Sequence, residues 1–233
     1  MNRFLSDPTI YAQVRLRKLK SPAVFRNPNE IIRENEYLES QNYEFMSHES
    51  QNQIWMDGQK RFIELSFRDL DPKACVLDIA CGDGIGLAKL QSMGFYNVFG
   101  VDSNSQKIMQ AKKHGKAFVG DMHQLGFVES GSVDIILCSH SLEHVFDPYK
   151  VLQEFKRVLT KNGTLMLVLP FPDFLPVNDR AHLAKYILGL HRFDHGRSLK
   201  KYLKNCGFKV QKMNFDSFRE DEIWVTATPI QVY

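Results

Sequence analysis

From residue 47 onward the apolar positions fall into short blocks whose spacing keeps changing, and each change marks a boundary between elements. Ile54, Trp55, Gly58, Phe62, Ile63 and Leu65 recur at mostly helical spacing, which predicts a helix over Ser47 to Leu70, ending before Asp71-Pro72. Ala74 to Ala80 is a compact apolar run, too brief for a helix, and reads as a buried strand. Gly84 to Met93 returns to helical character and closes at Gly94. The alternation continues with a strand at Asn97 to Val101, a helix at Ser105 to His114, a strand at Lys116 to Val119 and a strand at Val133 to Ser139. A helix over Pro148 to Leu159 places Val151, Leu152, Phe155, Val158 and Leu159 on one face. The pair Asn162-Gly163 then predicts a turn into a fifth strand, Thr164 to Leu169.

Strands alternating with helices predict an α/β fold, a parallel sheet whose crossovers are helical. The tail departs from this rhythm. After a helix at Ser198 to Asn205, stopped by Gly207, come strands at Phe208 to Phe215 and Glu222 to Thr228, separated only by Asp216 to Asp221. A connection that short allows only an antiparallel pair. The expected architecture is therefore a doubly wound, seven-stranded, mostly parallel sheet ending in an antiparallel pair. Residues 1–46, where Pro8, Pro22 and Pro28 interrupt a charged stretch, are expected to form an N-terminal helical arm, with the domain proper at 47–233.

Length and composition narrow the class. At 233 residues with 43% hydrophobic content, the chain suits one well-buried core rather than two. No apolar run approaches the roughly 18 residues of a membrane span, and the start lacks an apolar signal core. A cytoplasmic location is expected. Cys75, Cys81, Cys138 and Cys206 form no CxxC pair, which argues against a zinc knuckle and against a disulfide scaffold. A net charge of +3 is too small to imply a polyanionic partner, and the basic run Arg15, Arg17, Lys18, Lys20 and Arg26 reads as a solvated arm.

The sharpest chemical signal is Val76-Leu77-Asp78-Ile79-Ala80-Cys81-Gly82-Asp83-Gly84-Ile85-Gly86, a strand running into a glycine-rich turn and a helix. The spacing fails the GxGxxG dinucleotide fingerprint, because the position of its third glycine is Leu87. Asp102, at the end of the next strand, still sits where a carboxylate can accept from ribose hydroxyls. The pattern points to a nucleoside without a pyrophosphate. Asp78, Asp102 and Asp121 all stand at carboxyl ends of successive strands, where open α/β sheets bind ligands, although each alone could simply cap a turn.

These residues, together with the final antiparallel pair, resemble the class I S-adenosylmethionine-dependent methyltransferases with a Rossmann-like domain, over about Ser47 to Tyr233. The resemblance implies S-adenosyl-L-methionine as the cofactor. Gly82, Gly84 and Gly86 would carry its methionine part, Asp78 would support that loop, Asp102 would bind the ribose, and Asp121 with Met122 would meet the adenine. Cys138-Ser139-His140-Ser141-Leu142-Glu143-His144-Val145, after the fourth strand, is similar to the small-molecule branch and adds Ser139 to the cofactor side.

Methyl transfer from a sulfonium mainly needs alignment, and an alcohol acceptor also needs its proton removed. A histidine suits that task. His144 is the preferred catalytic candidate and His140 the second. His140 to His144 also fits the HxxEH pattern of inverted zinc proteases, but it starts at a strand end and Pro148 follows, so no metal is expected. The long connection 170–197 reads as an acceptor-binding insertion, with Phe174, Tyr186, His191, Phe193 and His195 as substrate-binding candidates. A metal held by His191, His195 and an aspartate is a lesser reading of that stretch.

The expected function is O-methylation of a hydroxyl on a small molecule or a glycan sugar. An RNA or protein methyltransferase is the alternative, disfavoured because the chain lacks an Asn/Asp-Pro-Pro-aromatic motif after the fourth strand; a non-catalytic binding subunit is a third. The acceptor is expected to be small or a saccharide, a nucleic-acid partner is not, and the sequence leaves the oligomeric state open.

Overall fold

The computed structural model describes residues 49–174, 182–218 and 221–231. The expected arm at 1–46 lies outside the described residues. Fourteen elements follow in order: α1 (Glu49–Phe67), β1 (Val76–Ile79), α2 (Ile85–Ser92), β2 (Val98–Asp102), α3 (Ser105–Ala111), β3 (Lys116–Val119), β4 (Val133–Ser139), a 3₁₀ turn (Leu142–His144), α4 (Pro148–Val158), β5 (Leu159–Pro170), α5 (Lys185–Leu188), α6 (Arg197–Asn205), β6 (Phe208–Asp216) and β7 (Glu222–Pro229).

The seven strands form one sheet in the order β3-β2-β1-β4-β5-β7-β6. The first five are parallel, while β5–β7 and β6–β7 are antiparallel. Because side chains alternate along a strand, each strand feeds two cores. Leu77, Ile79, Ile136, Cys138, Leu165 and Leu167 pack with Val151, Leu152 and Phe155 of α4 and Leu199 and Leu203 of α6. Val76, Ile135, Leu137, Met166 and Val168 pack on the other face with Phe62, Ile63 and Phe67 of α1, Leu87 and Leu90 of α2 and Ile108 of α3. Fully burying one such side chain contributes about 1.5–3 kcal/mol. The apolar stripe on α4 is what fixes its face: Val151, Leu152, Phe155 and Val158 are all 0% exposed.

Local chemistry starts the helices. Asn104 accepts from the Gln106 and Lys107 amides at the start of α3, and Asp147 accepts from the Lys150 amide ahead of Pro148 in α4. One expectation needs correcting. Asn162-Gly163 makes no turn between elements: β5 begins at Leu159 and absorbs these residues as a bulge, its pairing with β4 jumping from Val133↔Leu159 to Ile135↔Thr164. In the insertion, the described helix is a single turn, Lys185–Leu188, ended by left-handed Gly189. Among the described residues no helix is long and apolar enough to cross a membrane.

Candidate active site at the carboxyl edge of the sheet

Two residues leave the sheet at the same edge in an unusual way. Ala80, just after β1, and His140, just after β4, have φ of 53° and 49°. A left-handed backbone costs a residue with a Cβ roughly 1–2 kcal/mol, and such strain tends to persist at working sites. The pairing Ile79↔Cys138 puts these departures side by side. The glycine loop and the histidine turn thus face one another across neighbouring strands.

On the loop side, the three glycines have different reasons to be glycine. Gly82 has φ of +54° and nothing within 4 Å of where a Cβ would stand, so its surroundings leave room for a ligand. At Gly84, expected with Gly82 and Gly86 to carry the methionine part, a Cβ would meet Ala111 Cα of α3 at 2.8 Å. At Gly86 a Cβ would strike Asp78 Oδ2. The bare Cα atoms at 84 and 86 therefore serve packing, and only the one at 82 faces open space.

Asp102 is 7% exposed and latches the loop to β2: its Oδ2 accepts from the Gly82 amide at 2.9 Å and its Oδ1 from the Asn104 amide at 2.8 Å. Each oxygen keeps a lone pair for a further donor. Asp78 is buried on the α1 to α3 face, and its Oδ2 has no hydrogen-bond partner among the described residues. Burial first, and the neighbouring Asp102 charge second, push its carboxyl up to about 8. A cationic ligand beside this loop would relieve both, so the residues fit a sulfonium nucleoside. Asp121 accepts from both the amide and the ring Nδ1 of His123, at 2.8 and 2.7 Å, and His123 holds its carboxyl below the usual range. His123 stacks on Phe146 at 4.1 Å, which fixes the wall next to Met122, itself packed against the core. Ser139 is half-buried at the end of β4.

On the histidine side the two candidates part company. His140 sits with Nε2 3.2 Å from Glu222 Oε1 and Nδ1 3.7 Å from Glu143 Oε1, and Trp55 meets its ring edge-on at 5.0 Å. Glu222 in turn accepts from the Trp224 indole at 2.9 Å. A ring with a carboxylate on either nitrogen is suited to holding position. His144 is 42% exposed, its Nε2 lies 3.9 Å from Glu143 Oε1, and its ring meets His182 edge-on at 4.7 Å. His182 is aligned by buried Asp173, whose Oδ2 accepts from its Nδ1 at 2.6 Å. Buried Lys185 reaches Asp173 Oδ1 at 3.9 Å. The Ala184 amide donates to the Glu143 carbonyl, which ties the insertion to the 3₁₀ turn.

The five substrate candidates of the insertion do not gather in one place. Phe174 and Phe193 stack at 4.0 Å, Tyr186 pairs with His191 at 4.8 Å, and His195 meets Phe215 at 6.5 Å. Tyr186 lines a shallow depression of about 180 Å³ with Ile187, Arg192 and Lys201. Asp194, the aspartate between His191 and His195, accepts from the amide and hydroxyl of Ser198 through Oδ2, and among the described residues these three do not form a ligand cluster. Residues missed in the sequence are Asp173, His182, Lys185 and Glu222, none of which stands in a motif. Only the length of the connection hinted at the first three.

Comparison with known proteins supports this architecture. Residues 77–167 match the model of a methyltransferase domain family. A demethylmenaquinone methyltransferase of Thermotoga maritima is 32% identical over 131 residues, 54% of this chain and 54% of that protein. A ubiquinone biosynthesis O-methyltransferase of Saccharomyces cerevisiae is 36% identical over 109 residues, 42% of this chain and 34% of that protein. The chain thus spans about half or less of the length of these curated relatives. Among solved structures, an S-adenosylmethionine-dependent methyltransferase of Methanosarcina mazei superposes with a TM-score of 0.57 at 20% identity, over 70% of this chain and 95% of that one. A methyltransferase of Haloferax volcanii, solved with its Trm112 activator, gives 0.59 at 16% identity, over 75% and 90%. With the sheet order, the glycine loop and its aspartates already in view, residues 77–167 are similar to a methyltransferase domain, set in a Rossmann-like α/β fold shared with solved S-adenosylmethionine-dependent methyltransferases.

Proposed function

We propose that the protein methylates a hydroxyl oxygen of a small molecule, the acceptor entering between the carboxyl ends of β4 and β5 and the 170–197 insertion. When bound, S-adenosylmethionine supplies an electrophilic methyl group on a sulfonium. In this reading the Gly82 loop carries the methionine part, Asp102 the ribose, and Asp121 with Met122 the adenine, with Ser139 closing the cofactor side. Asp78 supports the loop from below.

The observation that carries the acceptor side is the environment of His144. It is the exposed member of an otherwise buried polar group, one strand away from the glycine loop, backed by Glu143 and by the Asp173–His182 pair. A hydroxyl attacking the methyl carbon must lose its proton as the O–C bond forms and the S–C bond breaks. His144 is the side chain placed to activate that hydroxyl, and His140, held by Glu222, positions the turn that presents it. The stacked Phe174 and Phe193 offer a flat apolar surface for the acceptor body. Relatives whose names specify quinone precursors support a small, ring-bearing acceptor over a saccharide or a nucleic acid. Four unpaired cysteines suit a reducing compartment, in keeping with a cytoplasmic enzyme.

The test is mass spectrometry of reactions with isotopically labelled S-adenosylmethionine and separate acceptor pools: phenols and quinone precursors, sugars, tRNA and peptides. Label on the oxygen of a phenolic or other small hydroxyl is expected. Label confined to tRNA or peptide, or no transfer to any pool, overturns the assignment.

A further inference from the structure

We propose that Glu143, His144 and His182 bind one divalent transition-metal cation, with Asp173 fixing His182 from behind. One ligand atom from each of the three lies within 4.8 Å of the others. Bonds of about 2.05 Å in a tetrahedron bring ligand atoms to about 3.3 Å apart, so the side chains need to close by up to about 1.5 Å, a matter of small rotations about their χ angles. Two imidazoles and a carboxylate form a donor set suited to zinc, cobalt or iron rather than to calcium or magnesium.

Two observations beyond proximity favour an ion. The first is the carboxylate behind the ring. His182 Nδ1 donates to Asp173 Oδ2 at 2.6 Å, which leaves its other nitrogen as the lone pair. Metal-bound histidines are held in this way by a carboxylate or carbonyl. The second is accessibility. His144 is 42% exposed whereas Glu143 is 1% exposed, so an ion held between them has a protected side and an open side.

The zinc-protease pattern over His140 to His144 is not the basis of this site. Those residues form a strand end and a 3₁₀ turn rather than a helix, and the third ligand comes from the insertion. On the proposed function, the open position would receive the acceptor hydroxyl. A metal-bound hydroxyl is more acidic: with His144 activating it as a ligand of the ion, its O–H bond would break with the proton passing to solvent water, and the electron pair left on oxygen would bond the methyl carbon as the S–C bond breaks and the sulfur leaves as a neutral thioether. Only this catalytic meaning rests on the proposed function; binding of the ion does not.

The experiment uses untagged full-length protein stripped with EDTA and titrated with cobalt(II) chloride, followed by visible d–d absorption, with no cofactor or acceptor present. One cobalt per chain is expected, displaced by zinc. His182→Ala should abolish the band, with circular dichroism reporting whether the variant is folded. Asp173→Asn, which keeps all three ligands, should weaken binding about 10–100-fold and decides the matter if His182→Ala fails to fold. Absence of a cobalt band in the wild type, or wild-type affinity in Asp173→Asn, overturns the proposal. Methyl transfer measured separately, in EDTA and after metal is restored, distinguishes the two failures: transfer in EDTA without cobalt binding sinks the metal site alone, and cobalt binding with no transfer by the metal-loaded protein sinks the proposed function alone.

Discussion

The two halves of the site satisfy their polar groups in opposite ways. On the half proposed to hold the cofactor, Asp102 and Asp121 are held by amides of their own or the neighbouring turn: Gly82, Asn104 and His123. On the half proposed to hold the acceptor, side chains far apart in sequence hold one another, as with His140 and Glu222, 82 positions apart. The first half is a property of local backbone and can be rebuilt wherever the loop recurs. The second exists only when β4, the insertion and β7 have all docked, so it is free to vary without disturbing cofactor binding. This separation of a fixed and an adjustable half is what one expects of a fold that serves many acceptors.

The sharpest test of that separation is His144→Ala. Turnover should fall about 10²–10⁴-fold while cofactor affinity, read by calorimetry, stays within a few-fold; an equal loss in both would mean that the halves are one unit. Next in size is a contrast within the glycine loop. Gly84→Val places a side chain against Ala111 at a φ of +88°, and urea unfolding should show a loss of about 2–5 kcal/mol. Gly82→Ala, with open space around it, should cost only about 1–2 kcal/mol yet weaken cofactor binding.

Asp78 offers a test by pH. Its folded carboxyl lies at about 8, above the ordinary 3.8, so the folded state holds the proton more tightly than the unfolded one. That contribution is complete below about pH 4 and is lost as pH rises toward 8, with a limiting slope of about 1.4 kcal/mol per pH unit. Urea unfolding of cofactor-free Asp78→Asn at about pH 5 and about pH 7 should show a flatter dependence than wild type. An unchanged slope would place the titration elsewhere.

Asp102→Ala should cost the cofactor about 1.5–3 kcal/mol, roughly ten- to hundredfold in affinity, and leave the acceptor KM alone. The smallest effects belong to the aromatics of the insertion. Phe174→Ala and Phe193→Ala should each raise the acceptor KM several-fold, and the double variant should be non-additive because the rings stack on each other at 4.0 Å. Tyr186→Ala, facing a different depression, should do less. A larger effect from Tyr186 would relocate the acceptor.

How legible each half was follows from the same contrast. Strand and helix periods, the 76–86 turn and the strand-end aspartates are local, and the sequence placed the element boundaries within three residues, except the start of β5, which lies five residues earlier at Leu159. The Asn162-Gly163 pair misled because a dipeptide cannot report that β4 lies alongside to absorb it as a bulge. The packing of Gly84 against Ala111 could not be foreseen, because that neighbour is 27 positions away. His144 was found by proximity to a strand end, but Asp173, His182 and Glu222 were out of reach, since nothing in their own neighbourhoods records the partner that each meets after folding.

The chain has two tryptophans, and both bear on one imidazole. Trp55 meets the edge of His140, and Trp224 donates its indole proton to Glu222, the carboxylate facing that same histidine. Since an imidazolium quenches a nearby indole more strongly than a neutral ring does, the protein's ultraviolet emission is a built-in reporter of this corner. A titration of fluorescence against pH or added acceptor would read the state of His140 directly, without a label and without turnover.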